Sequence, residues 1–228
     1  MAPVSDTPTV TVFTIAESAA YAHFIPRWWN AILLMNPRPT QIVITHHYED
    51  HAQVITSVPT GYDIPTKFVP LSSEFGVEYF NAAVMEATSE WVAYCGIDDQ
   101  MTPHALADLN RAQEIGANVA VANLLMSNGN KWTGSWNPEA LKQFNTLPAH
   151  SPYKRSLWEQ VGGYPDVRWS DWGFWLRAAP HVIPYHSQFI TAIFDIGETH
   201  ETMSGINLDD DIRQRADEEI RELIQAMQ

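Results

Sequence analysis

Asp98 and Asp99 stand side by side at the end of an apolar run, Trp91-Val92-Ala93-Tyr94-Cys95-Gly96-Ile97, with Met101, Pro103 and Leu106 following. Adjacent carboxylates repel each other and lose hydration, and a hard divalent cation that shares them relieves both costs. Oxygen ligands of this kind suit Mg²⁺ and Mn²⁺, and phosphate oxygens and water can complete the shell of such an ion. The pair therefore outlines a metal-and-diphosphate site; in a plainer role the same residues would make a turn and a helix start. A second cluster, His46-His47-Tyr48-Glu49-Asp50-His51, has imidazoles four and five residues apart. It follows a strand and lacks the HExxH order that gives a zinc hydrolase its ligands and base. A histidine lining a nucleotide-base pocket is the stronger expectation there, and a zinc hydrolase built on His46, His47 and His51 the weaker one.

The elements around these residues alternate. Thr9–Ile15, Gln41–Thr45, Lys67–Val69 and Trp91–Cys95 run apolar as buried strands do. A helix beginning near Pro26, with Trp28, Trp29 and Ile32 on one face, separates the first two. A second, Phe75–Ala87, feeds the strand that ends at the aspartates. Strand-helix-strand order is a parallel α/β plan, in which ligands sit at the carboxyl ends of strands.

Further on, the pattern predicts a helix over Pro103–Ile115, a strand over Asn118–Leu125 and a Gly, Asn, Trp and Pro-rich loop to Pro138. Short helices over Ser156–Val161 and Asp171–Ala178, a strand over Phe189–Ile196 and a closing helix over Leu208–Met227 complete it. In that last helix Ile212, Ala216, Ile220, Leu223 and Met227 form a stripe expected to pack on the domain or on a second subunit. Residues 1–207 are expected to form one domain and 208–228 this appended helix.

With 228 residues, 45% of them apolar, the chain can bury a large core. A formal charge of −14 with no basic run argues against a surface built to grip nucleic acid or anionic lipid, so a nucleic-acid acceptor is disfavoured. Cys95 is the sole cysteine, which rules out an intrachain disulfide and fits a cytoplasmic protein. No apolar run approaches the length of a bilayer span. Among the nine tryptophans, Trp132, Trp136 and Trp169 fall in loops, where aromatic faces can meet sugar rings.

In this order of elements the chain resembles the family-2 glycosyltransferases of GT-A fold, from about Val10 to His200. Thr14-Ile15-Ala16-Glu17 is similar to the nucleotide-binding turn that ends the family's first strand. Gly76, Asn81, Ala87 and Trp91–Asp99 follow the family's spacing from Gly to Asn to metal strand. The stretch Tyr153–Asp166, followed by Ser170-Asp171-Trp172-Gly173-Phe174-Trp175-Leu176-Arg177, resembles the acceptor side, in which an acidic pair before an aromatic and a Leu-Arg carries the base. Departures are His46 or His47 in place of the base-reading Asp, Gly96 at the first acidic position of the metal motif, Phe80 in place of an Arg, and Ser170 in place of a Glu.

The resemblance implies a single-domain α/β GT-A fold, Rossmann-like, with a mixed, mostly parallel sheet flanked by helices. It implies a metal-dependent, inverting transfer of a sugar from a nucleotide-sugar donor to a glycan, protein or small-molecule acceptor. The donor would be held by Thr14, Ala16, Glu17, His46, Gly76, Asn81, Asp98 and Arg155. Mn²⁺ or Mg²⁺ would sit on Asp98, Asp99 and His200, and Asp171 would be the catalytic base. The rival reading is a GT-A-like protein that binds a nucleotide-sugar or glycan without turnover.

Overall fold

Val10 to Ala16 is buried at every position, as a strand covered on both faces must be. In the computed structural model of the protein, which describes residues 7–16, 19–72, 76–196 and 210–227, this run lies inside a seven-stranded sheet. Numbered in chain order, the strands are β1 (Val10–Ala16), β2 (Gln41–His47), β3 (Thr66–Leu71), β4 (Trp91–Tyr94), β5 (Gln100–Met101), β6 (Val119–Val121), β7 (Asn123–Met126), β8 (Lys131–Thr133), β9 (Tyr153–Lys154), β10 (Pro184–His186) and β11 (Ala192–Phe194). The α-helices are α1 (Ile25–Leu33), α2 (His51–Ser57), α3 (Val77–Met85), α4 (Leu109–Glu114), α5 (Pro138–Leu141), α6 (Arg155–Val161), α7 (Ser170–Ala178) and α8 (Asp210–Ala226).

The large sheet has the order β10-β6-β9-β4-β1-β2-β3, and a small one the order β5-β11-β7-β8. In the large sheet β9 runs antiparallel to both its neighbours, and all other pairs are parallel. The sheet is therefore mixed and mostly parallel, with helices on both faces. On one face Trp28, Trp29 and Ile32 of α1 pack against Val12, Ile42 and Trp91. On the other, Tyr79 and Ala83 of α3 with Phe174 and Trp175 of α7 cover Phe13, Val43 and Val92. Trp28, Trp29, Trp91 and Trp175 are fully buried, so they are core material, each worth on the order of 3 kcal/mol of burial.

Four expected elements come out differently, the first being the loop to Pro138, which contains β8 paired antiparallel with β7 and so places Trp132 in a strand. In place of a helix over Pro103–Ile115, turns lead into the short α4. The Pro103 carbonyl accepts from Asn36 N–H at 2.8 Å, the Thr102 hydroxyl donates to Ile190 O at 2.6 Å, and Asp108 accepts from Ser187 and Gln188 instead of capping the helix. These tertiary bonds outweigh local helix propensity. The strand expected over Asn118–Leu125 divides at Ala122, which donates to Ser151 Oγ at 3.1 Å and accepts from Gly134 N–H at 3.2 Å. The chain there passes from the large sheet, as β6, to the small one, as β7. The strand expected over Phe189–Ile196 is only β11, and the earlier β10 joins the edge of the large sheet.

Helix α8 lies against α7. Its buried residues are Ala216 and Ile220, flanked by partly buried Ile212, Leu223 and Ile224, while Met227 is exposed. Glu219 accepts from Arg168 N–H at 2.7 Å, which ties the helix to the segment entering α7. No helix among the described residues is long and apolar enough to cross a membrane.

Candidate active site

Parallel pairing of β1 with β4 brings the ends of these strands together, and Cys95 N–H donates to Phe13 O at 3.0 Å as the chain leaves β4. The next four residues form a turn closed by Asp99 N–H to Gly96 O at 3.0 Å. Both carboxylates fold back over Gly96. A Cβ placed on it would lie 2.4 Å from Asp99 Oδ2 and 2.9 Å from Asp98 Oδ1. The glycine at this position of the metal motif therefore leaves room for two carboxylates to converge.

They converge at a cavity of about 1080 Å³, with Gly76, Asp98, Asp99, His150 and Asp171 in its wall and Trp132 and Trp169 among its aromatic surfaces. Asp98 is half-buried, and its carbonyl accepts from the Arg27 guanidinium. Asp99 is 3% exposed. Its Oδ2 accepts from His150 Nε2–H at 2.8 Å, and its Oδ1 from Asp195 N–H at 2.8 Å.

Asp171 enters the cavity from the first turn of α7. Its Oδ2 accepts from Asn145 Nδ2–H at 2.9 Å. Burial pushes its carboxyl above the ordinary value of 3.8, opposed by hydrogen bonds from the backbone N–H groups of Trp172 and of Asp171 itself and from Asn145. A carboxylate raised in this way is, once ionised, a better proton acceptor than an ordinary one. The nearby Tyr94 hydroxyl is pushed well up, by burial first and then by Asp99, Asp98 and Asp171, and stays neutral.

Several expected donor contacts do not line this cavity. Thr14 and Ala16 are buried in β1, and Ile15 between them supplies that strand's cavity contact. The oxygen of Asn81 accepts from Trp158 Nε1–H at 3.0 Å and Tyr164 N–H at 2.9 Å, and its amide donates to Tyr164 O at 3.1 Å. It thus staples α3 to the turn after α6. That turn contains Gly163, whose φ of +84° favours glycine and whose added Cβ would meet the Asn81 oxygen at 2.7 Å. Arg155 donates to Ala87 O at 2.6 Å and pairs with Glu159, and Lys154 pairs with Glu90 at 2.7 Å. Both lie beside the start of β4, because Arg155 N–H donates to Glu90 O, whereas the aspartates follow its end. Trp136 is partly buried in the core. Glu17 and His200 lie outside the described residues.

His46 is fully buried and also absent from the cavity wall. Its Nδ1–H donates to His47 O at 2.8 Å, so its Nε2 accepts from His51 Nδ1–H at 3.1 Å. Burial lowers its pKa, which keeps the ring neutral. The His47 ring packs at a tilt of 48° against Tyr48 instead of joining the pair. No group of three or more metal-ligating side chains occurs among the described residues, so neither this cluster nor the aspartate turn is a closed protein cage. The convergence over Gly96 does fit a cation that brings oxygens of its own, as a diphosphate does.

Asn145 and His150 have no counterpart among the expected site residues. Their one sequence signal is position, in a long irregular connection of the kind that carries function.

No family model matches the chain. It is 27% identical over 157 residues to the uncharacterized glycosyltransferase YwdF of Bacillus subtilis, a match covering 62% of this chain. The chain spans 58% of the length of that relative. Among solved structures, S. aureus TarS 1-349 in complex with UDP-GlcNAc has a TM-score of 0.71 at 16% identity, covering 96% of this chain and 66% of that one. The mannosyltransferase PcManGT of Pyrobaculum calidifontis, in complex with GDP-Man and Mn²⁺, has a TM-score of 0.60 at 18% identity, covering 86% and 59%. The chain has the GT-A fold of these structures and is similar in sequence to a glycosyltransferase.

Proposed function

We propose that the protein is a metal-dependent, inverting glycosyltransferase that moves a sugar from a nucleoside-diphosphate donor to an acceptor hydroxyl. The observation that carries this reading is the meeting of three carboxylates on one cavity, two converging at the turn after β4 and the third, Asp171, on α7. The relative's name and the nucleotide-sugars bound by the two structural neighbours support it.

Asp98 and Asp99 would hold Mn²⁺ or Mg²⁺ together with the donor diphosphate. When bound, the cation offsets the negative charge that gathers on the leaving diphosphate. Asp171 would accept the proton of the acceptor hydroxyl as that oxygen attacks the anomeric carbon from the face opposite the diphosphate, which inverts the configuration. Trp132 and Trp169 give the sugar and acceptor apolar faces to lie on. Asp166, Asp195, Asp217 and Glu219 also line the cavity against Arg168 and Arg213, so carboxylates outnumber guanidinium groups there and favour an uncharged acceptor over a polyanion.

Melting the protein against UDP, GDP, dTDP and CDP, each with Mn²⁺, Mg²⁺ or EDTA, tests this reading. Ligand at 100 times its Kd adds about 2.7 kcal/mol, a rise of about 5 to 11 °C for a domain of this size. One or two nucleotides should give that rise with metal and lose it in EDTA. Metal-independent shifts, or none with any nucleotide, would remove the donor site.

Gly96 provides a further check. Gly96→Ala is expected to keep the fold but weaken metal-dependent nucleotide binding by about tenfold, the lower end for disturbing groups that orient metal ligands. Titration of Mn²⁺ with the nucleotide present measures it, and unchanged affinity would mean that the convergence over Gly96 has no part in binding.

A further inference from the structure

The connection from α5 to β9 forms part of the cavity wall, through Asn145, Ala149 and His150, as a strap anchored independently of the carboxylates. Leu147 is fully buried in the core, Ser135 N–H donates to Thr146 O at 3.0 Å, and Ser151 Oγ accepts from Ala122 N–H at 3.1 Å. Beside these anchors two side chains reach the cavity, Asn145 just before Thr146 and His150 just before Ser151. The Asn145 oxygen accepts from Leu147 N–H at 3.2 Å, which fixes the amide so that Nδ2–H faces Asp171 Oδ2 at 2.9 Å. The His150 ring lies between Tyr94 at 5.8 Å and Phe194 at 5.9 Å, edge-on to the latter, with Nε2–H on Asp99 Oδ2 at 2.8 Å. His150 and Asp99 are each 3% exposed. One strap therefore grips a carboxylate of β4's turn and a carboxylate of α7.

We propose that Asn145 and His150 are positioning residues of the transfer reaction, Asn145 setting the orientation of Asp171 and His150 that of Asp99. This inference rests on the glycosyltransferase reading above. Each carboxylate has a second oxygen or lone pair left for substrate or cation, because a carboxylate accepts at about four sites. The strap hydrogen bonds fix which of those sites face the cavity. A purely structural pair would satisfy buried polar atoms and do no more.

The test compares wild type with Asn145→Ala, His150→Ala and His150→Gln, the last keeping an N–H donor. It measures nucleotide release from a nucleotide-sugar donor, Mn²⁺ affinity in the presence of the matching nucleoside diphosphate, and the titration of the Asp171 carboxyl by ¹³C NMR. The last two need no turnover.

Asn145→Ala should raise the Asp171 titration midpoint, since the lost bond favours the ionised form. It should lower kcat at neutral pH by about tenfold and leave donor KM unchanged. His150→Ala should weaken Mn²⁺ binding by about 10- to 100-fold and move the Asp171 titration upward less than Asn145→Ala does, because His150 is a smaller influence on that carboxyl than the Asn145 hydrogen bond, and His150→Gln should recover part of the lost Mn²⁺ affinity. If all variants fold and melt lower but keep wild-type titration, kcat and Mn²⁺ affinity, the two residues are structural and the proposal falls. If titration and Mn²⁺ affinity shift as stated while wild-type protein releases no nucleotide from any donor, the transferase reading falls and the orienting role stands.

Discussion

Asp171→Asn is expected to reduce sugar transfer by about 10² to 10⁴-fold, the usual contribution of a positioned proton acceptor, with fold and donor affinity intact. The amide keeps the shape of the side chain and an oxygen for the Asn145 N–H at 2.9 Å. What it loses is the basic oxygen that faces the cavity. Burial raises the Asp171 pKa above its ordinary value, so the folded state favours the protonated form, and the stability this group contributes at low pH is lost as pH rises through the raised pKa. The substitution removes that pH-dependent loss, so between acid and neutral pH the variant's melting temperature should fall less than that of the wild type.

The same shift fixes the pH profile. Because only the ionised form accepts a proton, wild-type transfer should fall on the acid side through a midpoint above 3.8, and the residual rate of Asp171→Asn should lack that limb. Transfer by Asp171→Asn at the wild-type rate would reduce Asp171 to part of the helix start.

Asp99→Asn should fail at an earlier step. Asp99 uses one oxygen for His150 and the other for Asp195 N–H, and an amide can accept from only one of those donors while its N–H₂ opposes the other. The carboxylate charge next to the diphosphate is lost as well. Outer-shell substitutions at metal sites cost about 10- to 100-fold, and a direct ligand should reach at least the upper figure. Calorimetric titration with Mn²⁺ and the nucleotide that stabilises the wild type should therefore detect little binding in the variant. Unchanged binding would mean that Asp99 holds the fold of the turn and not the cation.

Much of this arrangement was legible in the residue order. The parallel strands β1 to β4 follow from apolar runs, with helical spacing legible between β1 and β2 and before β4 but not at α2, and the Asp98-Asp99 pair at a strand end follows from the same pattern. The GT-A fold agrees with the motif order in Tyr153–Arg177. Local patterning did not reveal the split at Ala122, because Val119–Leu125 is apolar except for Asn123 and reads as one strand, whereas the contacts of Ala122 with Ser151 and Gly134 divide it between two sheets. Asn81 illustrates the opposite limit. Its spacing fits the family, yet its amide is engaged by Trp158 and Tyr164, a tertiary fact that spacing does not encode. Asn145 and His150 escaped notice because neither belongs to a periodic element or motif; their partners lie 26 and 51 residues away.

A cation held with the donor diphosphate at the turn after β4 is central to the proposed reaction, and anomalous diffraction at the manganese edge locates that ion directly. Crystals grown with Mn²⁺ and the stabilising nucleoside diphosphate should give an anomalous peak within coordination distance of a carboxylate oxygen of Asp98 or Asp99 and of the diphosphate. A peak confined to His46 and His51, or a bound nucleotide with no peak beside those aspartates, would contradict it.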